Sequence, residues 1–282
     1  MPLVSAKQIL EHAQANHYAV PLFDTFEMLG TDGMFAALEA KRAPTIIAMY
    51  ADKIQEPQAR AFAAYLKARA EDASVPVSLM LDHGSSVENC LKALEFGFSD
   101  VMFDGSRFPL EENIAMTREV VQAAHAIGAA VEAELGHVGK GSDYQDLAKI
   151  RTGYTDPDMA DTFVRETGVD MLAIAIGTAH GMYQGRPELD LERLKEMRQR
   201  VVLPLVLHGG SGLSEEQFRA AIRGGISKVN VFTDLGLTAC RYAVAASKRE
   251  DVSYFSIGEA FTEAFLTRCG YFMDLFGASG QA

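Results

Sequence analysis

Positive charge is scarce in this chain: 26 Lys and Arg stand against 38 Asp and Glu, a formal charge of −12. Nucleic acid and anionic membrane surfaces both recruit basic faces, so neither is expected as a partner. A small anion gripped locally by backbone amides stays open. Long apolar runs are missing as well. No window approaches ~18 uninterrupted apolar residues, so no membrane-spanning helix is expected. The N-terminal stretch MPLVSAKQILEHAQ carries no apolar secretory core. Cysteine is limited to Cys90, Cys240 and Cys269, widely separated, odd in number and without ligand-like spacing. They read as reduced, packed thiols of a cytoplasmic protein. No Pro/Ser-rich linker or shift in composition divides the chain, so residues 1–282 are expected to form one domain.

What is present is an alternation. Hydrophobic residues make up 48% of the chain, enough for a large core, and they fall into short apolar runs separated by helical-period segments. That pattern belongs to parallel α/β folds. The runs are YAVPLF (18–23), PTIIAM (44–49), PVSLMLD (76–82), SDVMFD (99–104), AAVEAE (129–134), DMLAIAI (170–176), LPLVLH (203–208) and SKVNV (227–231). Eight strands in a chain of this length predict a (β/α)₈ TIM barrel. The segment from about Thr233 onward exceeds what closure needs and predicts a C-terminal helical extension, covering the barrel or joining a subunit interface. The polar, Gly-bearing loop 135–157 is expected to act as a lid.

In such a barrel the site is built at the C-terminal strand ends. Asp24, Asp82, His83, Asp104, Glu132, Glu134, His180, His208 and Asn230 all fall there. His83, His180 and His208 can form a three-imidazole site with open positions, which suits a catalytic Zn²⁺, with Mn²⁺ or Co²⁺ as alternatives. Such a cation can polarise a carbonyl or stabilise an enediolate. Asp82, adjacent to His83, is placed to act as acid or base. Asp104 and Glu134 are expected to orient ligands or to supply an alternative ligand set. Gly209, Gly210 and Ser211, with Asn230 and Thr233, occupy the two loops where barrels bind phosphate. His12, His17, His125 and His137 read as surface or loop residues. A Schiff-base mechanism would need a lysine near the reacting carbon; Lys228, the only lysine in a candidate strand, sits toward its start. A metal-dependent hydrolase is disfavoured because no early strand carries His-x-His.

The motifs LDHGSS, VMFDGSRFPLEENIAMT, VEAELGHVG, AIGTAHGMY, PLVLHGGSGL and KVNVFTD resemble the class II, metal-dependent ketose-bisphosphate aldolases. The match runs from about residue 4 to 240, and the tagatose-bisphosphate branch is the most similar. The resemblance implies a homodimer or homotetramer cleaving a ketose phosphate to dihydroxyacetone phosphate and an aldehyde. It implies zinc on His83, His180 and His208, with Glu134 and Asp104 at an alternative metal position. Asp82 would handle the C4 hydroxyl proton. Gly181, Gly209, Ser211, Asn230 and Thr233 would hold the C1 phosphate, and Gly209 and Ser211 would lie near a monovalent cation.

This sequence departs from the family pattern around the substrate. Asp24 replaces an asparagine and is expected to add negative charge. A glutamate of the lid is replaced near Gly141 and Ser142, leaving Asp143 as the nearest acid to protonate the enediolate. Met182, Tyr183 and Gln184 replace a phosphate-contacting lysine, Phe232 stands in the NVxTD motif, and Gly236 replaces a basic residue. Each lost charge-assisted phosphate contact is worth roughly 1.5–3 kcal/mol, so the expected substrate is a sugar or sugar phosphate other than ordinary fructose bisphosphate. Arg107, Lys140 and Arg186 are candidates to compensate. The alternatives are a metal-dependent epimerase or isomerase of a non-phosphorylated sugar, and a non-catalytic sugar-binding paralogue.

Overall fold

The computed structural model describes residues 3–142 and 151–282. Eight parallel strands close into a barrel: β1 (Val20–Asp24), β2 (Thr45–Tyr50), β3 (Val77–Gly84), β4 (Asp100–Phe103), β5 (Ala130–Leu135), β6 (Met171–Ile174), β7 (Leu205–Leu207) and β8 (Ile226–Asn230). Each matches one of the eight apolar runs, with ends moved by a few residues. The strands are buried on both faces, as parallel strands under a helical layer must be, which is why they read as continuous apolar runs. Closure pairs Val20 with Lys228 and Leu22 with Asn230.

Helices α2 (Met28–Lys41), α3 (Ala59–Asp72), α4 (Val87–Glu95), α5 (Leu110–His125), α6 (Pro157–Thr167), α7 (Leu191–Arg200), α8 (Glu215–Arg223) and α9 (Thr233–Ala246) surround the barrel. Their caps follow the sequence. Ser86 accepts from the Asn89 amide, and Ser214 forms a capping box with Gln217. A preceding helix, α1 (Ala6–Ala15), packs on β1, β3 and β8. Asp100, buried at the start of β4, accepts from the Ala6 amide (2.8 Å) and the Ser5 hydroxyl (2.7 Å) and fastens that helix.

The expected C-terminal extension is α10 (Tyr254–Phe276), which packs on α9 and most extensively on α2. Its approach to α2 explains two glycines. A Cβ on Gly33 would lie 2.3 Å from the Thr262 carbonyl oxygen, and one on Gly30 would lie 2.7 Å from the Phe265 ring. Among the described residues no helix is long and apolar enough to cross a membrane. Cys90 and Cys269 are buried as expected, but Cys240 is exposed. It lies on the outer face of α9, where a helix turns one side to solvent.

Candidate metal centre and active-site rim

The rim places Asp82, His83 and His180 in one cavity of about 670 Å³, with His208 fully buried directly behind His83. Neighbouring residues of a strand point to opposite faces, yet Asp82 and His83 both line it. The reason is local: His83 has a left-handed backbone (φ 52°), and the β3–β4 register shifts between Leu81 and Gly84. A non-glycine residue held there costs of order 1–3 kcal/mol and persists where surrounding contacts over-determine it.

The outer nitrogens of two imidazoles are spoken for. His83 Nδ1 donates to Asp104 Oδ2 (3.0 Å), and His208 Nε2 donates to Glu132 Oε1 (2.8 Å). The inner nitrogens, His83 Nε2 and His208 Nδ1, then face each other at 2.9 Å. His180 brings its ring centroid to 4.7 Å from that of His83, and its Nε2 is buried without a hydrogen-bond partner. Each of the three offers a ligand atom within 4.8 Å of the others. Inward lone pairs and an orphaned buried nitrogen are what a divalent cation would satisfy, so the donor set fits one.

The electrostatics agree. Burial, then the charge on His83, pushes His180 and His208 well below the usual imidazole range, leaving them neutral. Burial acts the same way on His83, but Asp82, Asp104 and Glu134 outweigh it and raise it to about 10. Asp104 is held well below the ordinary carboxyl range, its burial outweighed by His83 and Ser106. Glu134 rises to about 8 through burial and the Asp104 charge, and its Oε2 has no partner. His83, Asp104 and Glu134 form a second group whose ligand atoms lie within 4.8 Å of one another.

The other site residues expected from sequence also line the cavity: Asp24, Gly181, Gly209, Ser211, Asn230, Phe232 and Thr233. Two of them, Asp24 and Asn230, act directly on Asp82. Asp24 is buried, and that burial, followed by the Asp82 carboxylate, raises it well above the usual range. Asn230 Nδ2 donates to Asp82 Oδ1 (2.9 Å) while its Oδ1 is unpartnered. The same Nδ2 lies 3.3 Å from His208 Nδ1, so the amide joins Asp82 to the imidazole trio. Gly209 (φ 67°) passes so close to the segment 179–180 that a Cβ would sit 2.5 Å from the Ala179 carbonyl oxygen. Ser211 Oγ accepts from the Asp234 amide at the start of α9 (3.1 Å). Asp143 lies outside the described residues.

Sequence reasoning missed the role of Lys228 and the place of His137, and it named Arg107, Lys140 and Arg186 without placing them. Lys228 lies in mid-strand, fully buried, and donates to Glu132 Oε2 (2.6 Å), extending a chain Lys228–Glu132–His208 across β8, β5 and β7. Lys140 lines the cavity because residues 139–140 pair with 179–180. Arg107 lines it too, whereas Arg186 does not. His137, expected to be a surface or loop residue, is part of the cavity wall. The far wall is aromatic. Phe26 and Phe232 have ring centroids 4.6 Å apart, and the Phe232 ring lies 3.7 Å from where a Gly236 Cβ would stand.

A parallel barrel with three convergent imidazoles and an adjacent carboxylate at its C-terminal rim defines a metal-dependent enzyme. The particular family follows from comparison: the model for class-II fructose-bisphosphate aldolase matches residues 4–281, and the chain belongs to that family. It is accordingly a class II metal-dependent aldolase, a lyase. It is 40% identical over 242 residues to fructose-bisphosphate aldolase of Geobacillus stearothermophilus, covering 83% of this chain and 82% of that one. It is 38% identical over 291 residues to 6-phospho-5-dehydro-2-deoxy-D-gluconate aldolase of Halalkalibacterium halodurans, covering 100% and 99%. The crystal structure of the YdjI aldolase from Escherichia coli K12 superposes with a TM-score of 0.88 at 34% identity, covering 99% of both chains.

Proposed function

We propose that this enzyme is a zinc aldolase that cleaves a ketose 1-phosphate to dihydroxyacetone phosphate and an aldehyde, and that fructose 1,6-bisphosphate is not its best substrate. The observation that carries the reading is the trio of inward-facing imidazoles beside Asp82, with the glycine loops of β6 and β7 in the same cavity. Three imidazoles suit zinc, and His83, His180 and His208 would hold it. When bound, the cation supplies a Lewis acid toward the carbonyl and adjacent hydroxyl oxygens of the donor half.

The protein's own groups do the rest. Gly181, Gly209 and Ser211, with Thr233 opening α9, offer a concave anion site for the phosphate, with a monovalent cation beside Gly209 and Ser211. Asp82, steadied by Asn230, takes the C4 hydroxyl proton. The C3–C4 bond then breaks, the aldehyde leaves, and the electron pair stays on C3. Glu132, backed by Lys228, fixes the His208 ring.

At the acceptor end the wall offers Tyr50, Asp52, the buried carboxyl of Asp24 and the Phe26–Phe232 pair. Gly236 lies under the Phe232 ring and itself offers no cation to read a second phosphate, while Arg107 and Lys140 stand elsewhere in the cavity wall. That the family includes enzymes named for other substrates, as in the Halalkalibacterium relative, supports the same choice. The test is condensation of dihydroxyacetone phosphate with a panel of aldehydes, followed by NMR. Uncharged polyhydroxy aldehydes should give a higher kcat/KM than glyceraldehyde 3-phosphate, and the reverse order would refute the acceptor assignment. We place the enzyme in the cytoplasm as a homo-oligomer. Exposed Val252, Tyr254 and Phe255 at the start of α10 support association between copies.

A further inference from the structure

Cleavage leaves two proton problems on opposite halves of the substrate. Asp82 answers the first by taking the hydroxyl proton of the aldehyde half. Something else must give a proton to C3 of the donor half and recover one from solvent. The carrier must line the cavity, reach water and exchange protons in both directions. Histidine is the side chain suited to that near neutral pH. Besides His83 and His180, one imidazole among the described residues lines the cavity, His137.

His137 is held in place. Gly136 turns the chain with φ 82°, a conformation whose Cβ would strike Thr155 Oγ1 at 2.7 Å and the Gly153 carbonyl at 2.8 Å. The His137 amide donates to that same Gly153 oxygen (2.7 Å), and the Val138 amide to Glu134 Oε1 (3.0 Å). The ring is oriented too. Nδ1 lies 3.0 Å from Ser106 Oγ, and the Ser106 amide donates to Asp104 Oδ1 (3.1 Å), which fixes the serine. With Nδ1 engaged by that hydroxyl, Nε2 is the nitrogen left for the cavity. His137 is itself exposed, and Nε2 has no hydrogen-bond partner among the described residues.

We propose that His137 is the acid–base group serving C3 of the donor, with Ser106 its positioning residue; this rests on dihydroxyacetone phosphate being the donor. In cleavage, protonated Nε2 gives its proton to the C3 electron pair: a C–H bond forms, an N–H bond breaks, and solvent reprotonates the ring. In condensation, neutral Nε2 takes a hydroxymethyl proton of the donor. The pair left on carbon attacks the aldehyde carbonyl, and Asp82 returns its proton to the new alkoxide.

The test uses full-length, zinc-loaded protein with dihydroxyacetone phosphate in D₂O, following loss of the hydroxymethyl proton signal by NMR across pH. His137→Asn should slow exchange about 100-fold or more, with unchanged zinc content and thermal midpoint, and should lose an ionisation present in the wild-type profile. Ser106→Ala should give a smaller loss and displace that ionisation, which a merely structural serine would not do. Asp143→Asn, the competing variant, should lose less than His137→Asn. The proposal is overturned if His137→Asn exchanges within about threefold of wild type, or if Asp143→Asn is the variant that stops exchange. Silence of the zinc-loaded wild type would overturn the donor reading itself, and the proposal with it.

Discussion

Lys228→Met is the most exposing perturbation of the site's scaffold, although it touches no substrate. The Lys228 ammonium and both Glu132 oxygens sit inside the barrel with side chains fully inaccessible, 2.6 Å apart on one side and 2.8 Å from His208 on the other. Deleting one partner of a buried ion pair leaves an uncompensated charge and costs about 3–5 kcal/mol. At roughly 2–4 °C per kcal/mol for a domain of this size class, the thermal midpoint should fall by about 6–20 °C. Because Glu132 orients His208, zinc affinity should also drop about 10–100-fold. The double variant Lys228→Met/Glu132→Gln removes the stranded charge, so it should recover most of the midpoint but not the affinity. Circular dichroism melts and competitive zinc titration read the two effects separately. A single variant melting within about 2 °C of wild type, with unchanged affinity, would refute the reasoning.

Other expectations are more local. His180→Ala should abolish high-affinity zinc binding and reduce lyase activity to background, by metal analysis and a coupled dihydroxyacetone phosphate assay, because its orphaned Nε2 has no other partner. Phe232→Ala should widen the acceptor end and raise kcat/KM for bulkier aldehydes relative to small ones; an unchanged ratio would show that the ring does not border the acceptor. Native protein should titrate one fast thiol with a disulfide reagent and three after denaturation. Cys240 is exposed, whereas burial pushes the Cys90 thiol up to about 12 and raises that of Cys269 well above its usual range.

The barrel was legible because its strands are buried on both faces: PVSLMLD, AAVEAE and LPLVLH could hardly be anything but interior strands bounded by turns. The convergence of His83, His180 and His208 was legible once strand ends were known, since the topology alone collects them. What could not be read depends on which side chains meet across the barrel. Glu132 and Lys228 are 96 positions apart and pair because β5 and β8 both point inward. The upward shift of the Asp24 carboxyl comes from burial beside Asp82, which no local window reveals. His137 and Lys140 reach the cavity because a two-residue ladder with 179–180 folds the loop after β5 over the rim. Cys240 was misread for the opposite reason, since a helix too short of polar residues to mark its outer face still has one.

The central claim is metal-dependent carbanion chemistry on a phosphorylated hydroxyketone. It is tested most directly by deuterium exchange into dihydroxyacetone phosphate by wild-type protein, before and after a chelator and after zinc is restored, with borohydride added in a parallel sample. Exchange that stops with the chelator, returns with zinc and leaves no borohydride-fixed adduct is the predicted result. Exchange that persists in metal-free protein, with donor trapped on Lys140, would contradict the account.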